Sequence, residues 1–153
     1  MQNVATDLAQ MLGIERVLWE QEHLVTYGFD GTAALYGEAG CIALPKTTEE
    51  VSQIVRYAAK HRIPVVARGS GTGLSGGSVP VPGCIVLCLV QMDCVLELDP
   101  KNLTIHVQSG VVTQKVAELA DDVGLLYPPD PGVDADLDYR RQRGRELRRF
   151  TRS

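Results

Sequence analysis

No stretch of this chain stays apolar for the roughly eighteen residues that a membrane-crossing helix needs, so a helical span is not expected. Its first residues, MQNVATDLAQMLG, lack a basic start and an unbroken apolar run, which argues against a secretory leader and makes the cytoplasm the expected location. Metal chemistry has as little footing. Cys41, Cys84, Cys88 and Cys94 include no C-x-x-C pair, and His23, His61 and His106 are scattered. Three of the four thiols fall in apolar, strand-like runs and are expected to be buried and free, since an unpaired cysteine packs as a small hydrophobe. No Gly-Lys-Ser/Thr closes any glycine-rich stretch, which removes the P-loop.

What the chain does have is VARGSGTGLSGGSV between Val66 and Val79, with Gly69, Gly71, Gly73, Gly76 and Gly77 following the strand-like run Ile63 to Ala67. Glycines this dense let successive backbone N–H groups converge without Cβ interference, which makes a concave nest for phosphate oxygens. Left-handed backbone is expected at Gly71 and Gly73, and Arg68 at the mouth adds a fixed positive charge. A flexible surface linker is the plain alternative, but Leu74 and the flanking apolar strands weigh against it. Gly71-x-Gly73-x-x-Gly76 also fits the spacing of a dinucleotide fingerprint, with Asp93 as a possible ribose acid. That fingerprint requires its last glycine to open a helix, and Pro80 and Pro82 forbid one here. The segment reads instead as strand, glycine loop, strand.

The remaining elements alternate. A helix over about Val4 to Leu12 would bury Val4, Leu8 and Met11 or Leu12, and stop at Gly13. A polar stretch runs through Tyr27-Gly28-Phe29-Asp30 to a short strand, Cys41 to Leu44, ended by Pro45. Thr47-x-x-Glu50 is a capping box ahead of Val51, Ile54, Val55, Ala58 and Ala59, one apolar stripe of a helix that gives out near His61. Residues 41–67 thus form a βαβ unit that delivers the glycine loop to the C-terminal end of its second strand, where open parallel sheets bind ligands. Cys84 to Val90, Val95 to Leu98 and, after the turn at Asp99-Pro100-Lys101-Asn102, Leu103 to Gln108 read as strands that short connections make antiparallel. Thr113 caps a second amphipathic helix carrying Val116, Ala117, Ala120 and Val123, stopped by Gly124, before the stiff Pro128-Pro129-Asp130-Pro131 segment.

Charge changes sign along the chain. Residues 1–132 carry eight basic and fifteen acidic side chains, whereas 133–153 carry seven arginines and four acids. Taken physically, VDADLDYRRQRGRELRRFTRS is a disordered arm suited to acidic surfaces or nucleic acid.

CIALPKTTEEVSQIVRYAAKHRIPVVARGSGTGLSGG, VLELDPKNLTIHVQSGV and GLLYPPDPG together resemble the front half of the FAD-binding domain shared by the p-cresol methylhydroxylase and vanillyl-alcohol oxidase superfamily. Within it they resemble most the glycolate oxidase D subunits of the D-lactate dehydrogenase group. The resemblance covers about Tyr27 to Gly132 and implies an α+β fold, a βαβ unit joined to mixed and antiparallel strands. It divides the chain into an amino-terminal helical extension (1–40), a partial FAD-binding domain (41–132) and a tail (133–153).

It further implies that Arg68, Gly69, Ser70, Gly71, Thr72, Gly73, Leu74 and Ser75 hold the FAD pyrophosphate and that Pro129 and Asp130 approach the cofactor. No histidine in the loop offers the covalent flavin link of some relatives, so FAD is expected to be non-covalent. The activity implied is oxidation of a 2-hydroxy acid, glycolate or D-lactate, to the 2-oxo acid, with hydride passing to the flavin. FAD, the 2-hydroxy acid of the longer enzyme and further oxidase subunits are the expected partners; nucleic acid is not. None of the three histidines matches a catalytic position, and the chain alone is expected to be inactive. A phosphate-binding module without redox chemistry is the alternative.

The family continues past this point with a second glycine-rich segment resembling TIGGNVAENSGG. With suitable codons, RRQRGRELRRFTRS read one base later becomes IGGNVAENSGGLRG, so 133–153 is expected to be an out-of-frame tail.

Overall fold

The computed structural model describes residues 2–32 and 34–128. The expected positions Pro129 and Asp130 and the tail 133–153 lie outside them. Two units are present, Met1–Val116 and Ala117–Ser153.

The first unit is built on a four-stranded sheet. α1 (Gln2–Leu12) buries Ala5, Leu8 and Leu12, while Val4 is partly buried and Met11 stays exposed. Gly13, at φ 100°, turns the chain where a Cβ would be strained, and the 3-10 turn Ile14–Arg16 leads into β1 (Val17–Leu18). α2 (Gln21–Thr26) follows, in a stretch where the sequence suggested no regular element. β2 (Ala39–Ala43) then enters the sheet.

α3 (Thr48–His61) is the element the sequence specifies best. Thr47 Oγ1 accepts from Glu50 N at 3.2 Å, as a capping box requires. The reciprocal bond shifts by one residue, because the Glu50 carboxylate accepts from Lys46 N at 2.7 Å and also from Arg16 Nη1 at 2.7 Å. The buried stripe is narrower than expected. Ile54 and Ala58 are buried and Val51 and Tyr57 pack beside them, but Val55 and Ala59 face water. Burying Ile54 alone contributes about 2 kcal/mol. Arg62, in the left-handed region at φ 55°, closes the helix.

β3 (Val65–Arg68) and β4 (Cys84–Cys88) complete the sheet in the order β1-β2-β4-β3, with β1 antiparallel and the other three parallel. The βαβ unit is present, but β4 lies between its two strands. β4 was expected to run antiparallel to the strand that follows it, Val95 to Leu98, but it pairs with β2 and β3, in parallel with both. The correction has a simple cause: residues 69–83 are long enough to return the chain from the C-terminal end of β3 to the N-terminal end of β4, which places Val65 opposite Ile85 and Arg68 opposite Cys88. All five β4 residues are buried, as befits a central parallel strand covered on both faces.

Side chains alternate across the sheet. Cys41, Ala43, Ile85 and Leu87 join Ala5, Leu8, Leu12, Val17, Ile54 and Ala58 in one core. Ala39, Ile42, Leu44, Cys84, Val86 and Cys88 form the other, flanked by Leu18, Leu24, Tyr27 and Val66. Residues 1–40 therefore contribute to both cores. Tyr57 Oη also donates to Asp7 Oδ2 at 2.6 Å, tying α3 to α1.

β5 (Val95–Asp99) and β6 (Thr104–Val107) form a separate antiparallel hairpin, as the short connection predicts. Its turn is held by Asp99, whose Oδ1 accepts from Lys101 N and Asn102 N at 3.0 and 3.1 Å. α4 (Thr113–Asp122) ends at Gly124, φ 74°, where Leu125 N donates to Ala120 O at 2.8 Å in a Schellman closure.

Candidate anion-binding site

β3 ends in Arg68, and the glycine loop begins at the next residue, at the C-terminal end of a parallel strand. The structure brings Gly69 to Ser75 together as one exposed turn, with Gly71 half-buried and Leu74 80 % exposed at the tip. Only part of the expected backbone strain is present. Gly71 has φ 85° and Gly76 φ 74°, whereas Gly73 does not take a left-handed conformation.

Arg68 lies beneath the loop, 8 % exposed. Nη1 donates to the carbonyls of Tyr27 and Phe29 at 2.9 and 3.0 Å, and Nε and Nη2 reach the carbonyls of Gly69 and Ser70 at 3.4 Å. Its guanidinium stacks over the Tyr27 ring. The same guanidinium occupies the space that a Cβ on Gly71 would need. Burial pushes the Tyr27 phenol up from its ordinary value, with Cys88 adding to the rise and Arg68 opposing it. Cys88 Sγ lies 3.8 Å from Gly69 O, a weak thiol contact under the first loop residue.

The segment Tyr27–Thr32, read from sequence only as a polar stretch, forms the other wall. Gly31 N donates to Gly73 O at 2.8 Å, and Gly76 N donates to Thr32 Oγ1 at 3.1 Å. Asp30 Oδ1 accepts from Thr32 N at 2.8 Å, and this contact holds the Asp30 carboxyl below its ordinary value. The N–H groups of Ser78 and Gly76 lower it further. The sequence signal that marks this wall is Asp30-Gly31-Thr32, an Asx-turn composition.

The loop carbonyls are consequently turned inward. A trans peptide is planar, so a carbonyl and the N–H of the following residue point in opposite directions. Fixing the carbonyls of Gly69, Ser70 and Gly73 therefore aims the N–H groups of Ser70, Gly71 and Leu74 away from the protein. None of the N–H groups from Ser70 to Ser75 donates to another described residue. Unpaired amides on an exposed glycine turn are able to accept an anion.

No group of three His, Cys, Asp or Glu side chains among the described residues could hold a metal ion, and no described helix is long and apolar enough to cross a membrane. Cys41, Cys84 and Cys88 are buried free thiols, as expected, and Cys94 is exposed.

The chain belongs to the FAD binding domain family, whose profile matches residues 39–137 and so takes in the parallel strands β2 to β4, the glycine turn between β3 and β4, and the antiparallel hairpin that follows. FAD is the cofactor of this family. The chain is 37 % identical over 129 residues to the glycolate oxidase subunit GlcD of Bacillus subtilis, covering 84 % of this chain and 27 % of the relative. It is 41 % identical over 101 residues to the D-lactate dehydrogenase of Anaerostipes hadrus, covering 65 % and 21 %. The solved structure of p-cresol methylhydroxylase with substrate bound superposes with a TM-score of 0.70 at 22 % identity, over 81 % of this chain and 25 % of that one, and shows the fold. The expected superfamily and α+β class are thus borne out. The chain spans about a quarter of the length of the curated relatives it matches.

Proposed function

We propose that this chain is the front part of an FAD-dependent enzyme that oxidises a 2-hydroxy acid, of the size of glycolate or D-lactate, to the 2-oxo acid. Its own task is to hold the FAD pyrophosphate on the backbone of Gly69 to Ser75. The observation that carries this reading is the set of unpaired amides from Ser70 to Ser75, above carbonyls tied down by Arg68 and Gly31. The reading is supported by similarity to a glycolate oxidase subunit and to a D-lactate dehydrogenase.

When bound, the flavin supplies hydride acceptance. The residues here supply binding and orientation. Ser70, Gly71 and Leu74 present N–H donors, and the hydroxyls of Ser70, Thr72 and Ser75 stand beside them on the exposed turn. Arg68 acts from below, since its donors are committed to carbonyls. The loop has no histidine, which supports non-covalent flavin. Pro129 and Asp130 are proposed as further cofactor contacts from the family resemblance. No residue of this chain is assigned to holding the substrate carboxylate or to removing its hydroxyl proton. Further oxidase subunits are proposed as partners, in keeping with the relatives' designation as subunits. The free thiols support placement in the reducing cytoplasm.

Gly71→Val tests the reading. It needs φ 85° and meets the Arg68 guanidinium, so flavin binding, followed by quenching of FAD fluorescence, should be lost while far-ultraviolet circular dichroism is retained. Wild-type affinity in this variant would remove the loop from the cofactor site.

A further inference from the structure

Two contacts reach the glycine loop from a segment about forty residues earlier, and neither is needed to connect or cover an element of the sheet. Gly31 N donates to Gly73 O at 2.8 Å, and Thr32 Oγ1 accepts from Gly76 N at 3.1 Å. Between these two anchors lie Leu74 and Ser75, whose N–H groups have no partner among the described residues. We propose that Gly31 and Thr32 are positioning residues for the cofactor's diphosphate: they hold the glycine loop by an inner carbonyl and a closing amide, so that its remaining amides face the ligand before it arrives. This rests on the reading that Gly69 to Ser75 is the pyrophosphate site.

The chemistry of each position fits that role. Holding the Gly73 carbonyl inward turns the Leu74 N–H outward, because the two belong to one trans peptide plane. Gly76 sits at φ 74°, a left-handed conformation at which the chain leaves the nest, and the threonine hydroxyl takes its N–H at that corner. Gly31 tolerates no side chain. A Cβ there would stand 2.9 Å from Gly73 O and 3.0 Å from Thr72 O, so backbone would have to move. Thr32 is itself fixed, since its N–H donates to Asp30 Oδ1 at 2.8 Å. A nest whose curvature is set in the free protein loses less conformational freedom on binding, and its affinity rises accordingly.

The test is a titration of the whole 153-residue chain, ¹⁵N-labelled, with FAD and separately with inorganic pyrophosphate, reading the amide resonances of Ser70, Gly71 and Leu74. Thr32→Val removes the acceptor at nearly constant volume, Thr32→Ser retains it, and Gly31→Ala pushes on the loop backbone. The proposal expects Thr32→Val to weaken pyrophosphate binding about fivefold, the equivalent of one lost hydrogen bond, with Thr32→Ser restoring it. Gly31→Ala should weaken binding at least as much, and it carries the test if Thr32→Val does not fold. Wild-type affinity in both Thr32→Val and Gly31→Ala, with Gly71→Val binding-defective, would overturn the positioning role and leave the site standing. Loop amides that respond to neither ligand in the wild-type chain would overturn the site and, with it, this inference.

Discussion

The guanidinium carbon of Arg68 stands 5.1 Å from the centre of the Tyr27 ring, while Nη1 of the same side chain donates to the Tyr27 carbonyl at 2.9 Å. One arginine thus fastens the segment before β2 to the end of β3, and in doing so spends its donors on backbone carbonyls. Its charge reaches a ligand only through the loop it shapes.

Arg68→Lys should therefore behave like Arg68→Ala. A lysine keeps the charge but cannot reproduce the planar fork that spans Tyr27, Phe29, Gly69 and Ser70. Both variants should lose about 2 kcal/mol in urea unfolding, the scale of a charged hydrogen-bonding group removed from part-buried contacts. Full rescue of both stability and flavin affinity by lysine would show that charge alone matters.

Glu50 governs an acid limb of stability. Burial pushes its carboxyl up, but the hydrogen bonds from Arg16 and Lys46 N and the charge of Arg16 outweigh this and hold it below its ordinary value of 4.5. A depressed folded-state value means that the stabilisation is complete above the ordinary carboxylate range and is lost as pH falls through the depressed value. Denaturant midpoints measured from pH 7 downward should drop in the wild type, with a shallower drop in Glu50→Gln. Parallel pH profiles for the two proteins would refute the assignment.

The thiols give a direct check of the cores. Burial pushes Cys41 up to about 12 and raises Cys84 as well, and Cys88 is buried in the same sheet. An aromatic disulfide reagent at neutral pH should label Cys94 rapidly and all four cysteines only after denaturation. Rapid labelling of two or more in the native protein would contradict the packing of the sheet.

Local rules in the sequence determined α3, with its Thr47 cap and its end at His61, the stops at Gly13 and Gly124, the β5–β6 hairpin, and the exposed glycine turn after β3. Each depends on residues within a few positions of one another, so spacing alone exposes it. The helix stripe shows where such rules end: Val55 and Ala59 fit the apolar period but remain exposed, because the sheet beneath α3 covers only the width of Ile54 and Ala58. The place of β4 between β2 and β3, the burial of Arg68 under the loop it adjoins, and the pairing of Asp30-Gly31-Thr32 with Gly73 and Gly76 were decided by tertiary structure. These contacts join segments some twenty to forty residues apart, and neither propensity nor periodicity carries information over that distance. The fold supplies it by closing the chain between them.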